Sequence, residues 1–358
     1  MLAGQYRPVA SRRRHAASSP GQVAETSVAA GVVARAFVAR GRVGALAVSL
    51  LVGVPLAAGC GGPDAGASGA PSLTREQARE TVATYATTVG QAGDTLDASL
   101  LPKAEADPQL AMDTAAVKLR RVTKARTGVL KLSHVRVAVP RLAAYPHWFA
   151  AEAVSGSGKD ALRHAMVFTQ EKAGAPWLLA ADPFPTDTLF SRVALDGHGY
   201  AKAVAVSGGG LVIAPDRMAE VHSALLNDGP RAAGADRLAP GPKTTEAFTA
   251  LRKAEAGLRQ DGITLESRFS PAPAQVFALR TQDGGALVWY VLKQNEAYSA
   301  TKKGKLTVTG DLVGLAPPSS VSTRMTTTVL IQYLASVPAK GTASVTGMYR
   351  KAVAATGH

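Results

Sequence analysis

The sequence predicts an α+β protein built as two tandem modules, each a set of helices followed by a curved antiparallel β-meander. Three observations carry this. Apolar residues recur at helical spacing in 74–90 and 107–122, and again in 216–227 and 245–260. After each helical section the hydrophobic period shortens towards two. Turn residues then break the chain at hairpin spacing, and strand runs that follow helices rather than alternate with them point to antiparallel pairing. The chain has 358 residues, of which 46% are hydrophobic, which allows about two domains and excludes wholesale disorder.

The elements follow in order. Thr74-Arg75-Glu76-Gln77 is a capping box, and Leu73 can staple onto Ala78. Ala78, Val82, Tyr85, Ala86 and Val89 give a helix running to about Gly90. Asp107-Pro108 opens a second helix, with Asp107 as cap and an apolar stripe of Ala111, Ala115, Leu119 and Val122. From Val129 to Val139 the pattern alternates, with one slip near Ser133. Strands over Phe149–Val154 and Leu162–Thr169 flank the Ser155-Gly156-Ser157-Gly158 turn, and Pro176 to Ala180 closes the meander.

The second half repeats this order. Helices are expected over Asp216–Asn227 and Thr245–Gln260. Strands follow over Ile263–Phe269, Val276–Arg280, Ala286–Tyr298, Leu306–Leu315 and Ser322–Leu334, with Pro271-Ala272-Pro273 keeping the first two apart. Laid on the first half, Gly262-Ile263 falls on Gly128-Val129, Val276-Phe277 on Trp148-Phe149 and Ala286-Leu287 on Ala161-Leu162. An ancient duplication and a shared α+β plan both explain this match.

The N-terminus reads as an export signal. Residues 1–59 hold seven arginines against Glu25 alone, a net +6, which leaves +8 for 60–358. Arg35, Arg40 and Arg42 precede an uncharged apolar run from Val43 to Gly59, the length of a signal core and short for a membrane span. The long stretch before it suggests a start further in, at a valine such as Val32, Val33 or Val38. Leu56-Ala57-Ala58-Gly59 then meets Cys60, the only cysteine. This resembles the lipobox of bacterial lipoproteins, in which small residues precede a cysteine that becomes lipidated. Residues 61–72 are a Gly/Ala/Ser/Pro tether. The layout is therefore a signal peptide over 1–59, a lipidated Cys60 with its tether over 60–73, a first module over 74–185, a linker over 186–215 and a second module over 216–358. Two or more acyl chains suffice for stable anchoring. The expected location is the outer face of the cytoplasmic membrane, reached through the lipid anchor.

Two resemblances add to this. Helices, then a meander with Trp177-Leu178-Leu179 near its last strand, resemble the ketosteroid-isomerase-like cone fold over 74–182 and, more loosely, over 216–338. No Tyr/Asp pair matches the isomerase pattern, so that resemblance carries over no catalytic residue. The whole chain resembles the uncharacterised secreted lipoproteins of high-GC actinobacteria, which implies a location and a shape and leaves the activity open.

Chemical motifs are weak. Ser299-Ala300-Thr301-Lys302 lies in a strand and lacks the partner motifs of penicillin-binding enzymes. Gly156-Ser157-Gly158-Lys159 lacks the first glycine and the Ser/Thr of a phosphate loop. The seven histidines show no ligand spacing, so no metal and no cofactor is expected, although His134 and His164 could meet across a sheet. Trp148, Trp177 and Trp289 fall in or beside strands, as sheet core or as the wall of an apolar pocket in the mouth of a cone. Lys118, Arg120, Arg121, Lys124 and Arg126 read as a solvated helix face or as a contact for anionic lipid or wall polymer. Basic residues without interleaved aromatics do not suggest nucleic acid. The reading is a membrane-anchored, non-catalytic binding or scaffold protein of the cell envelope, partnered by an envelope protein. The alternatives are a carrier or sensor of a small apolar ligand and a cell-wall hydrolase, which needs Ser, His and a carboxylate to converge.

Overall fold

In the computed structural model, residues 71–301, 306, 308, 310–316 and 323–357 are described. Helix α1 (Arg75–Thr95) begins at the expected capping box. The Gln77 N–H donates to Thr74 Oγ1 at 3.2 Å, and the Thr74 N–H donates to Gln77 Oε1 at 2.7 Å. The helix does not stop at Gly90 but runs on to Thr95. Gly90 serves instead as a point of close approach, because a Cβ there would stand 2.9 Å from the Leu130 backbone nitrogen. Helix α2 (Gln109–Thr123) starts after Pro108, which takes the cap position without a side-chain bond, while Asp107 is exposed.

The first sheet is an antiparallel meander of β1 (Leu132–Ala138), β2 (His147–Ser155), β3 (Leu162–Gln170) and β4 (Leu178–Ala181), in that order. The slip near Ser133 is a bulge: pairing with β2 shifts between Ser133 and Arg136, and His134 sits at φ 52°. After β5 (Phe184–Pro185) come α3 (Met218–Asp228) and α4 (Thr245–Gln260). They precede β6 (Ile263–Pro271), β7 (Phe277–Arg280), β8 (Ala286–Ala300), β9 (Arg324–Val337) and β10 (Ser344–Gly357). The second sheet has the order β5-β10-β9-β8-β6, and β7 pairs with β8 beyond the end of β6.

Strand alternation stacks these parts in four layers. On the first sheet, Phe149, Ala151, Met166 and Phe168 face α1 and pack with Val82 and Tyr85. Phe149 and Phe168 are fully buried and stack at 4.9 Å. Removing each such ring from water contributes roughly 1.5–3 kcal/mol. The opposite face carries Trp148, Ala150, Ala165 and Val167 and packs on Phe277, Leu287, Trp289 and Leu334 of the second sheet. The far face of the second sheet, with Val288, Tyr290, Leu292, Ile331 and Tyr333, is covered by Met218 and Leu225 of α3 and Leu251 and Leu258 of α4. The order is helix, sheet, sheet, helix.

This architecture is α+β with antiparallel sheets, as expected, but the two halves share one apolar core between their sheets. Residues 186–215, expected as a linker, form part of that body. Phe190, Val193 and Ala201 enter the inter-sheet core, Val204 and Ile213 enter the core under α3, and Ala203 bridges to Leu279. Gly208, Gly209 and Gly210 made the segment read as a spacer, whereas its apolar residues are packed at irregular intervals that no period reveals. Of the strand expected over Leu306–Leu315, the described residues form a 3-10 turn at Gly310–Leu312, and Leu306 and Leu312 are buried by packing rather than by sheet pairing. Strand β10 was not anticipated: its sequence, SVTGMYRKAVAATG, does not alternate, and two register shifts interrupt its pairing with β9. The proposed overlay of the halves puts β7 on β2. However, β2 lies between the two strands β1 and β3, while β7 pairs with β8 alone among the named strands and meets the irregular segment around Ala203 on its other side.

Candidate functional site

The chain passes from the first sheet to the second between Ala181 and Phe184, and α2 packs over this crossing. A continuous hydrogen-bonded network forms there. It begins at Ser155, the half-buried last residue of β2. In the β2–β3 hairpin Ser155 pairs with Leu162 and Ala153 with His164, so Ser155 and His164 are diagonal neighbours on one face. His164 Nε2 lies 2.8 Å from Ser155 Oγ, and its Nδ1 lies 2.7 Å from Asp182 Oδ2. An ionised Asp182 fixes the proton on Nδ1 and leaves Nε2 to accept from the serine hydroxyl. The Phe184 ring meets the His164 imidazole edge-on at 5.2 Å and helps hold its plane.

From there the network runs inwards. The Asp182 backbone N–H donates to Gln332 Oε1 of β9, and Gln332 Nε2 donates to Gln109 Oε1 of α2. Gln109 Nε2 donates to Asp113 Oδ2, and the Tyr349 hydroxyl of β10 donates to Asp113 Oδ1. Both sheets and α2 are thus joined through side chains of which Gln109, Asp182 and Gln332 are fully buried. Buried amides of this kind are costly unless every polar atom is paired, so the chain fixes how the layers meet.

Glu105, in the turn before α2, is buried beside this network. Neither of its carboxyl oxygens meets a donor among the described residues. Burial pushes its pKa up to about 11, and the Asp113 and Asp182 carboxylates push the same way, against Arg120. Glu105 therefore carries a proton at neutral pH and can share it with Asp113. Burial also raises the Asp182 pKa, against the opposing pull of His164, and its Oδ1 meets no donor among the described residues. A second buried cluster, on the second sheet, is fully served: Glu296 accepts from Gln294, Tyr298, Thr327 and Arg350 at 2.8–3.0 Å.

The residues singled out from the sequence separate into several places. Cys60 lies outside the described residues. Trp148 and Trp289 meet in the inter-sheet core, where Trp289 Nε1 donates to the Ala165 carbonyl at 2.8 Å and Trp148 packs on Phe277 at 5.3 Å. Trp177 lies on the other face of the first sheet, against Phe149 at 5.2 Å. The three tryptophans do not line one pocket. Trp289 backs a small cleft of about 190 Å³, shared with Ala106, Asp107, Thr169, Gln275 and Phe277. His134 and His164 do not meet: His134 is exposed on β1, and β2 separates the two strands. Among the described residues no three His, Cys, Asp or Glu side chains form a metal-binding group, and no helix is long and apolar enough to cross a membrane.

No sequence motif marks the relay of Ser155, His164 and Asp182. Part of the signal lies in spacing: a serine ending one strand of a hairpin and a histidine nine residues later fall on the same face once the turn sets the register. Asp182 gave no such signal, because its position depends on where β4 ends.

Comparison with known proteins places the chain as follows. The family described as a domain of unknown function, DUF8094, matches residues 69–357. A protein of Streptomyces avermitilis named "Uncharacterized lipoprotein" is 27% identical over 245 residues, covering 66% of this chain and 71% of the relative. The "Uncharacterized lipoprotein SCO2278" of Streptomyces coelicolor is 24% identical over 283 residues, covering 77% of this chain and 84% of the relative. A further relative in that organism, "Uncharacterized lipoprotein SCO6871", is 27% identical over 235 residues, 62% of this chain and 64% of its own length. No solved structure matches the chain. The expected likeness to actinobacterial lipoproteins is borne out by these relatives.

Proposed function

The chain belongs to the DUF8094 family, and on that premise we propose that it is an envelope lipoprotein, anchored through Cys60, whose folded part binds a partner through its surface without transforming it. Two observations support the anchor: a lipobox-like Leu56-Ala57-Ala58-Gly59-Cys60 behind an apolar signal core, and relatives that carry the name lipoprotein. One observation carries the surface-binding role. The space between the sheets is filled by side chains, with Trp289 1% and Trp148 6% exposed. The cleft of about 190 Å³ beside them is smaller than the roughly 300–1,000 Å³ of a typical ligand site. Among the described residues, the space between the sheets therefore offers no room for a ligand of that size, which favours recognition on outer surfaces. Native mass spectrometry of the protein extracted from its own envelope tests this. The expected spectrum shows acylated protein with no small molecule retained. An apolar molecule that stays bound would overturn the reading in favour of a carrier.

A second reading, an acyl hydrolase, rests on the Ser155–His164–Asp182 relay, whose 2.8 and 2.7 Å spacings are those of a serine nucleophile with its base and orienting acid. A fluorophosphonate probe separates the two. Labelling of Ser155 that is lost in His164→Gln would support the hydrolase, and an unlabelled Ser155 in folded protein would leave the relay a structural one.

A further inference from the structure

From Thr114 to Ala151 the chain has no acidic residue and eight basic ones: Lys118, Arg120, Arg121, Lys124, Arg126, Lys131, Arg136 and Arg141. The structure sorts these. Arg120 acts inwards on Glu105, Arg136 lies 4.0 Å from the Glu152 carboxylate, and Arg141 pairs with Asp196. Lys118, Arg121, Lys124, Arg126 and Lys131 are exposed along the end of α2 and the irregular segment that follows it. Two apolar side chains protrude among them, Val122 at 58% and Val129 at 72% exposure. Cations in the last turn of α2 are explained by its helix dipole. That does not account for Lys124, Arg126 and Lys131, which lie beyond the helix, or for the two outward-facing valines.

We infer that this surface, from Lys118 to Lys131, rests on the anionic headgroups of the bilayer that holds the lipid anchor, with Val122 and Val129 entering the interface. Charge complementarity names the occupant: several cations next to a membrane, interleaved with small apolar groups, are attracted by acidic lipids. Geometry permits it. Arg121 Nε donates to the Leu96 carbonyl and the Thr127 N–H to the Gly93 carbonyl, so the basic segment is docked at the far end of α1 from the tether. α1 has 21 residues, which makes it about 31 Å long. The eleven peptide units from Cys60 to Pro71 reach roughly 36–40 Å when extended. The anchor can therefore lie in the membrane while the far end of α1 also meets it. The inference relies on the anchored-lipoprotein reading only for proximity to the bilayer.

The test removes the anchor. The mature chain from residue 60 to 358, carrying Cys60→Ser and lacking the signal segment, is mixed with vesicles of phosphatidylglycerol and phosphatidylcholine, or of phosphatidylcholine alone, and bound protein is measured by flotation. Binding is expected to the anionic vesicles only, and to weaken with added salt. Charge reversal at Lys118, Lys124, Arg126 and Lys131 is expected to reduce partitioning by about tenfold or more. Val122→Ser with Val129→Ser, which keeps every charge, is expected to reduce it less. Equal binding to both vesicle types, no binding, binding to anionic wall polymer alone, or an unchanged affinity in a folded charge-reversal variant would each overturn the inference. Failure of the anchor itself would show separately, as an unmodified Cys60 in the native protein.

Discussion

Glu105→Gln is expected to stabilise the protein at neutral pH. In the unfolded chain this carboxyl loses its proton above pH 4.5, whereas in the folded protein it keeps the proton up to about 11. Between those values the folded state binds one proton more than the unfolded state, so each unit of rising pH costs about 1.4 kcal/mol of stability. At pH 7 the penalty is roughly 3 kcal/mol. That figure depends only on the unfolded value and the pH, as long as the folded value stays above 7. Glutamine keeps the shape and the donor that can face Asp113, but it has no proton to lose. Urea unfolding of the Cys60→Ser protein and of its Glu105→Gln derivative, from pH 4 to 8, measures the difference. The two curves should meet near pH 4 and diverge to roughly 3 kcal/mol at pH 7. Parallel curves, or a less stable variant at pH 7, would show that Glu105 is ionised and paired in the folded state and would refute the reasoning.

Other expectations follow from the same geometry. His222, buried with Nδ1 2.9 Å from the Tyr290 hydroxyl and Nε2 2.8 Å from the Lys243 carbonyl, has its pKa lowered by burial to about 4. The unfolded chain gains that proton at 6.5, so stability falls as pH drops from 6.5 towards 4, by up to roughly 3 kcal/mol. The Glu105→Gln protein, free of the opposing slope, should show this loss in urea titrations, and adding His222→Phe should flatten it. Trp289→Phe removes the donor to the buried Ala165 carbonyl and should cost roughly 1–3 kcal/mol, read as a lower urea midpoint. Gly156→Ala forces a side chain to φ +69 and against the Asp160 carbonyl, which should cost roughly 1–3 kcal/mol and appear as a lower thermal midpoint.

Features governed by neighbours in the chain were legible in the sequence. The Thr74–Gln77 cap, the span of α4, the bulge near Ser133 and the β2–β3 hairpin all follow from local spacing, and all are present. Features governed by distant packing were not. Gly90 resembles a helix stop, but it is small because Leu130 passes over it. β10 has little alternation because both of its faces are used: Tyr349 reaches Asp113 on α2 from one face, and Arg350 reaches Glu296 from the other. The tryptophans were legible as buried residues. Their division between two faces of the first sheet depends on strand parity, which sets Trp148 against the second sheet and Phe149 with Trp177 on the other face. The relay was half legible, since hairpin register joins Ser155 to His164, while Asp182 arrives from the crossing between sheets.

The account turns on Cys60. Mass spectrometry of the N-terminal peptide from the membrane-extracted protein tests it most directly. The account predicts a chain that begins at Cys60 and carries a thioether-linked diacylglycerol. A free thiol at Cys60, or a mature chain that begins elsewhere, would contradict it.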